Sequence, residues 1–380
     1  MTQTQAKKPC ITFLFSDTGG GHRSGASAII EALNLEFPGR VETRMVDLFR
    51  EYTPSPFKYA PDIYPTLSRY PDMWRIGYHA IDGRRRMIAL YNITWPYVRR
   101  SLYRMLDENP CDMLVSVHQL MNGPVLRALY QHRINIPFAT VVLDMVSTVA
   151  AWFDPRANLI LVPTETARQN GIRLGVMPER IQVAGMPVAQ RFVKPAVEKP
   201  ALRQRLGWRQ DLPMILIVGG GEGMGNLEEV ALAIDFAHVP AQLAVVCGRN
   251  TVLKERLKAH NWSLPTFIYG FVSEMPDFMG AADVLVTKAG PGTISEAFIA
   301  GLPLVLYSKM PGQEDGNVTY VVDEGAGVWA PEAFQVVDTL KDWLSNPLKF
   351  KQVARASKAL ARPESSRIIA RALGAQVGLK

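Results

Sequence analysis

The residues of this chain whose types and spacing suggest chemistry lie first in a Gly-Pro-Gly segment, 290–292. It follows a short apolar run, 284–286, and precedes a helical pattern, so it predicts a corner between a strand and a helix. Such a corner exposes backbone N–H groups at the positive end of a helix dipole, which together attract phosphate. Lys288 adds a mobile positive charge beside it. Thr293 and Glu296 also have the T-x-x-E spacing of a capping box, which is a purely structural alternative.

Two further glycine segments show the same arrangement of a strand, a glycine-rich loop and a helix. Ser-Asp-Thr-Gly-Gly-Gly-His occupies 16–22, and Gly-Gly-Gly-Glu-Gly-Met-Gly occupies 219–225, each after an apolar run typical of a strand. The first segment is not a dinucleotide fingerprint, because Ser24 stands where the third glycine belongs. It is not a nucleoside triphosphate loop either, because Ala26 stands at the lysine position. Both common nucleotide motifs are thereby disfavoured.

Strand and helix patterns alternate along the chain, which predicts parallel sheets covered by helices on both faces. The segment 194–200 combines two prolines with mixed charge and predicts a boundary between domains 1–195 and 196–362. The last helix, within 363–380, is expected to pack back on the first domain. The fold class is therefore α/β, with two doubly wound domains expected to face a central cleft. Polar residues just past strand ends are ligand candidates, above all His118 and Asp144.

Composition narrows the class of protein further. The chain has 380 residues, of which 48% are apolar and 20% charged, as expected for a globular protein of two domains. Its three cysteines, Cys10, Cys111 and Cys247, are far apart and form no C-x-x-C pair, so we expect a reducing compartment and neither a zinc site nor a disulfide framework. The polar N-terminus predicts no signal peptide, and no apolar run reaches the roughly 18 residues of a membrane span.

The net charge of +7 is concentrated in one stretch. Residues 69–104 contain eight arginines and two aspartates, mixed with tryptophan and tyrosine. Such a mixture suits the interface of an anionic bilayer, where each basic residue contributes about 1 kcal/mol. A solvated helical face and a nucleic-acid surface are the alternatives that the composition leaves open. The candidate membrane contacts are Trp74, Arg84, Arg85, Arg86 and Trp95.

Several of these segments resemble a known family. The glycine segments 16–23, 219–225 and 287–297, together with 247–250, 270–272 and 313–317, closely resemble those of monogalactosyldiacylglycerol synthases. That family is related to peptidoglycan lipid II synthase and diglucosyldiacylglycerol synthases and has the glycosyltransferase fold called GT-B. The resemblance is strong over about 11–33 and 213–329 and loose over about 50–110. It implies the family and leaves the sugar open.

The resemblance implies that the C-terminal domain binds a UDP-sugar. Residues 290–293 would bind the diphosphate, with Gly220 and Gly221 on its other side, and Glu296 would accept the ribose hydroxyls. The backbone at 271–272 would meet the uracil, and residues 313–314 would contact the sugar. The implied donor site comprises Gly220, Gly221, Arg249, Phe271, Val272, Lys288, Gly290, Gly292, Thr293, Glu296, Gln313, Glu314 and Asn317.

The family's reaction is inverting and needs a base for the acceptor hydroxyl. We expect that base to be His22, beside Gly20 and Gly21 at a helix start whose dipole weakly favours the neutral imidazole. Asp17 would orient His22 or merely close the turn, and the turn is favoured. His118 and Asp144 are the alternative bases. The chain has no D-x-D motif, so no metal or other cofactor is expected, and helix ends with Lys288 would neutralise the diphosphate.

The sequence thus predicts a hexosyltransferase that moves a hexose, with galactose favoured, from a UDP-sugar to diacylglycerol. We expect a peripheral, monotopic protein on the cytoplasmic side of an anionic membrane, with no nucleic-acid partner. The alternatives are transfer of glucose or N-acetylglucosamine to another lipid and a non-catalytic protein that binds UDP-sugar at a membrane. A UDP-sugar epimerase shares the fold but has no need of the basic aromatic stretch.

Overall fold

The computed structural model describes residues 8–17, 20–55, 57–59, 62, 74–75, 78, 83–193, 197–223 and 225–380. The chain divides into two compact units, one formed by residues 1–190 and 364–380 and the other by 191–363. Our predicted boundary fell at 195–196. Much of the basic aromatic stretch before Gly83, including Arg69, lies outside the described residues.

A parallel six-stranded sheet forms the centre of the first unit. Its strands lie in the order β2-β1-β3-β4-β5-β6, and every neighbouring pair is parallel. The central strands are fully buried apolar segments, as expected when helices cover both faces of a sheet. The strands are β1 (Cys10–Phe15), β2 (Glu42–Asp47), β3 (Met113–Ser116), β4 (Phe138–Val141), β5 (Leu159–Val162) and β6 (Ile181–Val183).

The longer helices of this unit connect the strands in the expected alternation. They are α1 (Gly21–Glu36), α2 (Arg84–Glu108), α3 (Asn122–Gln131) and α4 (Glu165–Arg173). Helix α1 begins directly after the first glycine segment, since Gly20 is its N-cap residue with φ of 79°. That left-handed conformation favours glycine, so the glycine makes the sharp turn from β1 into α1 possible.

The second unit repeats the plan. Its strands are β7 (Met214–Val218), β8 (Gln242–Val246), β9 (Thr266–Tyr269), β10 (Val284–Lys288), β11 (Leu304–Ser308) and β12 (Gly327–Trp329). They pair in parallel in the order β12-β11-β10-β7-β8-β9. Strand β12 was not predicted, because three residues are too few to show a period. The prediction of two doubly wound α/β units is confirmed.

Helices cover this second sheet, and the core between them is apolar. The helices are α5 (Lys199–Leu206), α6 (Leu227–Phe236), α7 (Thr251–Ala259), α8 (Met275–Ala281), α9 (Pro291–Ala300), α10 (Asp315–Asp323), α11 (Ala333–Ser345) and α12 (Pro347–Ala359). Leu227 of α6 and Leu340 and Trp343 of α11 pack in one buried cluster with the strands. This cluster fixes the strand ends and hence the loops that carry the site.

The last helix, α13 (Ser365–Gln376), belongs to the first unit and packs on α1. Glu36 at the end of α1 forms ion pairs with Arg367 and Arg371 of α13. The Ser366 hydroxyl donates to the carbonyl of Val188 (2.7 Å) and accepts the Val188 N–H (2.9 Å). These contacts hold the C-terminal helix on the first unit.

Each sheet has one position where the strand order changes direction, and ligand sites in open α/β sheets lie at such positions. In the first sheet it lies between β1 and β3, whose carboxyl ends lead into residues 16–20 and 117–121. In the second it lies between β7 and β10, which lead into 219–225 and 289–290. The glycine segments of the sequence therefore stand at the two ligand positions of the fold.

Candidate active site

The loops after β7 and β8 interlock through their backbones. Arg249 N–H donates to the carbonyl of Gly221 (2.9 Å), and Gly248 has φ of 59°. A Cβ on Gly248 would lie 2.4 Å from that same carbonyl oxygen, so no other side chain fits there. Glycine at 248 thus permits the close approach that shapes one wall of the candidate anion site.

The Gly-Pro-Gly corner is a bare helix start. Helix α9 begins at Pro291, and its N-cap Gly290 makes no side-chain capping bond. Thr293 lies inside the first turn, not before it, so the capping-box alternative is wrong for Thr293 and Glu296. The N–H groups of the first turn have no acceptor within the helix and remain available to an anion.

Lys288 lies between the two glycine corners of this unit. Its side chain is 3.3 Å from a Cβ built on Gly220 and 3.4 Å from one built on Gly290. The ammonium forms an ion pair with Glu314 Oε1 at 2.6 Å, and Glu314 is buried. The lysine is therefore held in one place at the corner, not left mobile as the sequence suggested.

Both carboxylate oxygens of Glu314 accept hydrogen bonds from other groups of the protein. Oε1 accepts from Lys288, and Oε2 accepts the backbone N–H of Met310 (2.7 Å). Asn317 is also buried and donates from Nδ2 to the carbonyl of Ala289 (2.9 Å), next to the corner. Gln313 is half-buried and has partners of its own. The resemblance implied a sugar contact for Glu314, whereas the geometry shows it holding Lys288.

Arg249 and Phe271 lie together after β8 and β9. The Arg249 guanidinium is 5.0 Å from the centre of the Phe271 ring and forms an ion pair with Glu222 at 2.7 Å. Phe271 is 62% exposed, while Val272 is half-buried. An exposed aromatic ring stabilised by a cation offers a flat apolar face beside the glycine segment 219–221.

Glu296 has an unusual carboxyl group. It is half-buried on the second turn of α9, and loss of hydration raises its pKa to about 8, against the opposing effect of Arg191. At pH 7 the carboxyl is thus largely neutral. A neutral carboxyl can exchange hydrogen bonds with hydroxyls without repelling a nearby diphosphate.

In the first unit, His22 is fixed in one tautomer. It is the second residue of α1, and its Nδ1 lies 2.6 Å from the carbonyl oxygen of Val117, just past β3. A carbonyl only accepts, so Nδ1 carries the proton and Nε2 keeps its lone pair. Burial lowers the pKa of His22 to about 4, although the Val117 bond favours the charged form. This effect exceeds the small dipole shift expected from the sequence.

His118 lies against His22, and Asp144 is connected to it through Trp152. The two imidazole rings are 4.4 Å apart, and His118 is buried, so burial and the neighbouring His22 hold its pKa well below the usual value. Asp144 is buried and accepts from Trp152 Nε1 at 2.6 Å, and the Trp152 ring lies 6.4 Å from that of His22. Sequence reasoning missed Trp152 and the Val117 carbonyl, because neither has a motif around it.

Asp17 serves the turn that precedes α1. Its two carboxylate oxygens accept from Nε and Nη2 of Arg23, both at 2.6 Å. This forked pair ties Asp17, just past the end of β1, to the first turn of α1. Gly20 and Gly21 have open space where a Cβ would stand, so a ligand can approach the backbone beside His22.

The basic helix α2 differs from expectation at one residue. Trp95 is buried, with the Arg127 guanidinium 4.4 Å from its ring and Tyr103 against its edge. It cannot reach a membrane while so packed, and that prediction is wrong. Trp74 is half-buried. The exposed residues of α2 include Arg84, Arg85, Arg86, Ile88, Ile93 and Tyr97.

Within the described ranges, no helix has both the length and the apolar character needed to cross a membrane. The same residues contain no group of three or more histidine, cysteine, aspartate or glutamate side chains placed to hold a metal ion.

Two doubly wound units with ligand loops at their strand ends define the GT-B fold. The same fold occurs in the solved structure of Acinetobacter baumannii MurG (TM-score 0.63, 17% identity, 97% of this chain and 100% of that one). It also occurs in Anabaena Alr3699/HepE in complex with UDP-glucose (TM-score 0.56, 14% identity, 97% and 100%).

The family follows from sequence similarity. Residues 22–188 match the model of monogalactosyldiacylglycerol (MGDG) synthase, and residues 214–370 match the glycosyltransferase family 28 C-terminal domain. Over 93% of its length the chain is 36% identical to monogalactosyldiacylglycerol synthase of Spinacia oleracea, covering 70% of it. Over 93% of its length the chain is also 34% identical to monogalactosyldiacylglycerol synthase 1 of Arabidopsis thaliana, and the match covers 68% of that protein. The chain belongs to the monogalactosyldiacylglycerol synthase family.

Proposed function

We propose that the protein transfers galactose from UDP-galactose to the free hydroxyl of diacylglycerol at a membrane surface. The observation that carries the proposal is the similarity, over nearly the whole chain, to proteins named monogalactosyldiacylglycerol synthase. The geometry supports it because the second unit offers an anion corner and the first offers a neutral histidine with a free lone pair.

The donor would bind at the second unit. Backbone N–H groups of the first turn of α9 and the Lys288 ammonium would neutralise the diphosphate as it leaves. Glu296, largely neutral at pH 7, would bind the ribose hydroxyls, and the Phe271 region would meet the uracil. These groups supply the charge that the leaving group needs, so we propose that no metal is required.

His22 would act as the base. Its Nε2 accepts the proton of the acceptor hydroxyl while the hydroxyl oxygen attacks the anomeric carbon. The bond from that carbon to the diphosphate oxygen breaks, UDP leaves, and the configuration inverts. The hydrogen bond from Nδ1 to Val117 stabilises the imidazolium that forms, since it favours the charged ring. His118 and Trp152 hold the ring in place.

Helix α2 would bring the protein to the bilayer. Its exposed arginines attract anionic headgroups, and its exposed Ile88, Ile93 and Tyr97 suit the interfacial region. We propose a peripheral protein on the cytoplasmic side of the membrane, since diacylglycerol does not leave the bilayer.

The test is a product analysis. The purified protein is incubated with diacylglycerol in anionic vesicles and, separately, with UDP-galactose, UDP-glucose or UDP-N-acetylglucosamine, and the lipids are resolved by mass. A monohexosyl-diacylglycerol made mainly from UDP-galactose supports the proposal. A product made mainly from UDP-glucose would retain the mechanism and correct the sugar. No glycolipid from any donor, with UDP-sugar still bound, would overturn the proposal in favour of another acceptor or a binding role.

A further inference from the structure

The first unit contains an open cavity of 320 Å³ that the proposed chemistry does not use. One wall is a single face of α2, formed by Arg84, Met87, Ile88 and Tyr91, which recur at helical spacing. The opposite wall is the segment 150–156. Met87 is buried and Ile88 is 50% exposed, so the cavity runs from the interior of the unit to its surface.

The lining of the cavity is predominantly apolar. Of its charged residues, Asp154 and Arg156 satisfy each other, with Arg156 Nε and Nη2 on the two carboxylate oxygens at 2.9 and 2.6 Å, and Arg84 lies at the surface. Arg156 Nη2 also donates to the carbonyl of Gly123 (3.2 Å). Among the described residues, the Tyr91 hydroxyl of the lining has no hydrogen-bond partner. A ligand for this space must therefore be hydrocarbon along most of the walls and can offer one acceptor to Tyr91.

The mouth of the cavity is continuous with the basic surface of α2. Arg84 and Ile88 line the cavity and also belong to the exposed surface that carries Arg85 and Arg86. A cationic rim next to an apolar interior is complementary to a lipid whose chain enters while the surrounding headgroups are anionic. A purely water-soluble ligand would gain nothing from this combination.

The wall of the cavity is also the support of His22. Ala150, Ala151 and Phe153 face the cavity, and Trp152, in the middle of the same turn, lies against His22. The turn that lines the cavity is therefore also in contact, through Trp152, with the group proposed to act on the lipid hydroxyl.

From these four observations we infer that the cavity takes one acyl chain of the diacylglycerol acceptor out of the bilayer. The inference rests on the proposed function and extends it to the acceptor's chain. Each methylene that passes from water into an apolar cavity raises binding roughly fourfold. The apparent KM for acceptors dissolved as monomers in water should therefore fall as their chains lengthen, until the cavity is full.

The experiment uses short-chain diacylglycerols of increasing chain length, each dissolved below its critical micelle concentration without detergent, with the full chain and saturating UDP-galactose. Ala150→Phe fills the cavity from its half-buried wall. Ala375→Phe, at an exposed alanine of the same unit on α13, is the matched control. Binding of UDP and of a fluorescent 16-carbon fatty acid is measured on all three proteins without membranes.

We expect Ala150→Phe to raise KM for the longest of these acceptors at least tenfold, to remove the dependence of KM on chain length, and to weaken fatty-acid binding, with UDP affinity unchanged. Ala375→Phe should match the unsubstituted protein. An unchanged chain-length dependence in Ala150→Phe overturns the inference, whether or not the fatty acid binds. Absence of transfer by the unsubstituted protein, with saturable fatty-acid binding that Ala150→Phe abolishes, would instead refute the proposed function and leave a chain site of another purpose.

Discussion

His22 owes its chemistry to two contacts that fix it. The Val117 carbonyl defines the tautomer, and the neighbouring rings of His118 and Trp152 restrict the ring's rotation. Because Nδ1 is committed, only Nε2 can take a proton. The residue is thus prepared for one task before any ligand arrives, which is how a positioned base gains most of its effect.

Replacing His22 tests this role. We expect His22→Ala to lower kcat by at least about 10²-fold, because the hydroxyl loses its proton acceptor. UDP binding, measured by calorimetry, should stay within about twofold. His132→Ala, at a half-exposed histidine paired with Asp107 on the far end of α2, is the control and should leave turnover unchanged. Near-normal turnover in His22→Ala would discard the base assignment.

The pH dependence gives a second test. Burial lowers the folded-state pKa of His22 to about 4, below its ordinary value of 6.5, so the imidazole is neutral throughout the range above about pH 5. As pH falls through about 4, kcat/KM should fall because Nε2 is protonated in the free enzyme. The free energy of unfolding depends on pH in the same direction. In the unfolded chain His22 has a pKa near 6.5, so the stability contributed by its neutral side chain is lost as the pH drops below that value. A decrease in kcat/KM near pH 6.5 that is present in the unsubstituted protein and absent from His22→Ala would contradict the lowered pKa of His22.

Glu314 offers a prediction that separates two roles. If Glu314 acts through Lys288, Glu314→Gln should weaken the binding of UDP and of UDP-galactose by the same factor, roughly tenfold, because the Lys288 ammonium loses its fixed partner. A sugar contact would instead weaken only UDP-galactose. In a Lys288→Met background the effect of Glu314→Gln should vanish, which calorimetry on the four proteins of the cycle measures.

At the scale of elements, α2 exposes apolar side chains next to its arginines. Ile93 and Tyr97 are 71% and 70% exposed, and the three arginines at its start are exposed as well. Trp95 instead packs inward, so the helix has one buried face and one exposed face. Its amphipathic character is what an interfacial helix requires.

The prediction for α2 concerns vesicle binding. Arg85→Glu with Arg86→Glu should weaken sedimentation with anionic vesicles at least tenfold, since each basic residue near the surface contributes about 1 kcal/mol. Arg44→Glu with Arg173→Glu, two exposed arginines on other elements, is the matched control. Binding by the unsubstituted protein should also decrease in 1 M salt, where the screening length is about 3 Å. Salt-insensitive binding would argue against an electrostatic contact.

At the scale of the whole molecule, each unit has its own core, and the chain enters the first unit twice. Helix α13 returns after the entire second unit to pack on α1, where Leu373 is fully buried. The first unit therefore folds completely only when the last residues have been made. The second unit is contiguous in sequence and does not depend on the termini.

This organisation predicts where a core substitution acts. Leu373→Ala should cost about 2–5 kcal/mol and accelerate hydrogen exchange in α1 and β1. Leu340→Ala, at an equally buried leucine of α11, should do the same in β7 and β11 and serves as the reciprocal control. Peptide-resolved exchange distinguishes the two. Equal acceleration in both units after Leu373→Ala would show that the units do not open separately.

The sequence by itself determined the alternation of strands and helices, the glycine corners and the family, because these depend on periodicity and on short contiguous motifs. The first strand and the helix after Pro291 could be predicted from about ten neighbouring residues each. The sequence also indicated His22 as the candidate base, from its place directly after three glycines.

Only the tertiary structure decided how the site residues are used. Val117 is 95 residues from His22, and Glu314 is 26 residues from Lys288, so neither partner can be found by local spacing. Trp95 looked like a membrane anchor in sequence, yet packing against Tyr103 and Arg127 buries it. Burial, tautomer and ion pairing arise from contacts between distant segments, and a one-dimensional pattern carries no information about which distant segments meet.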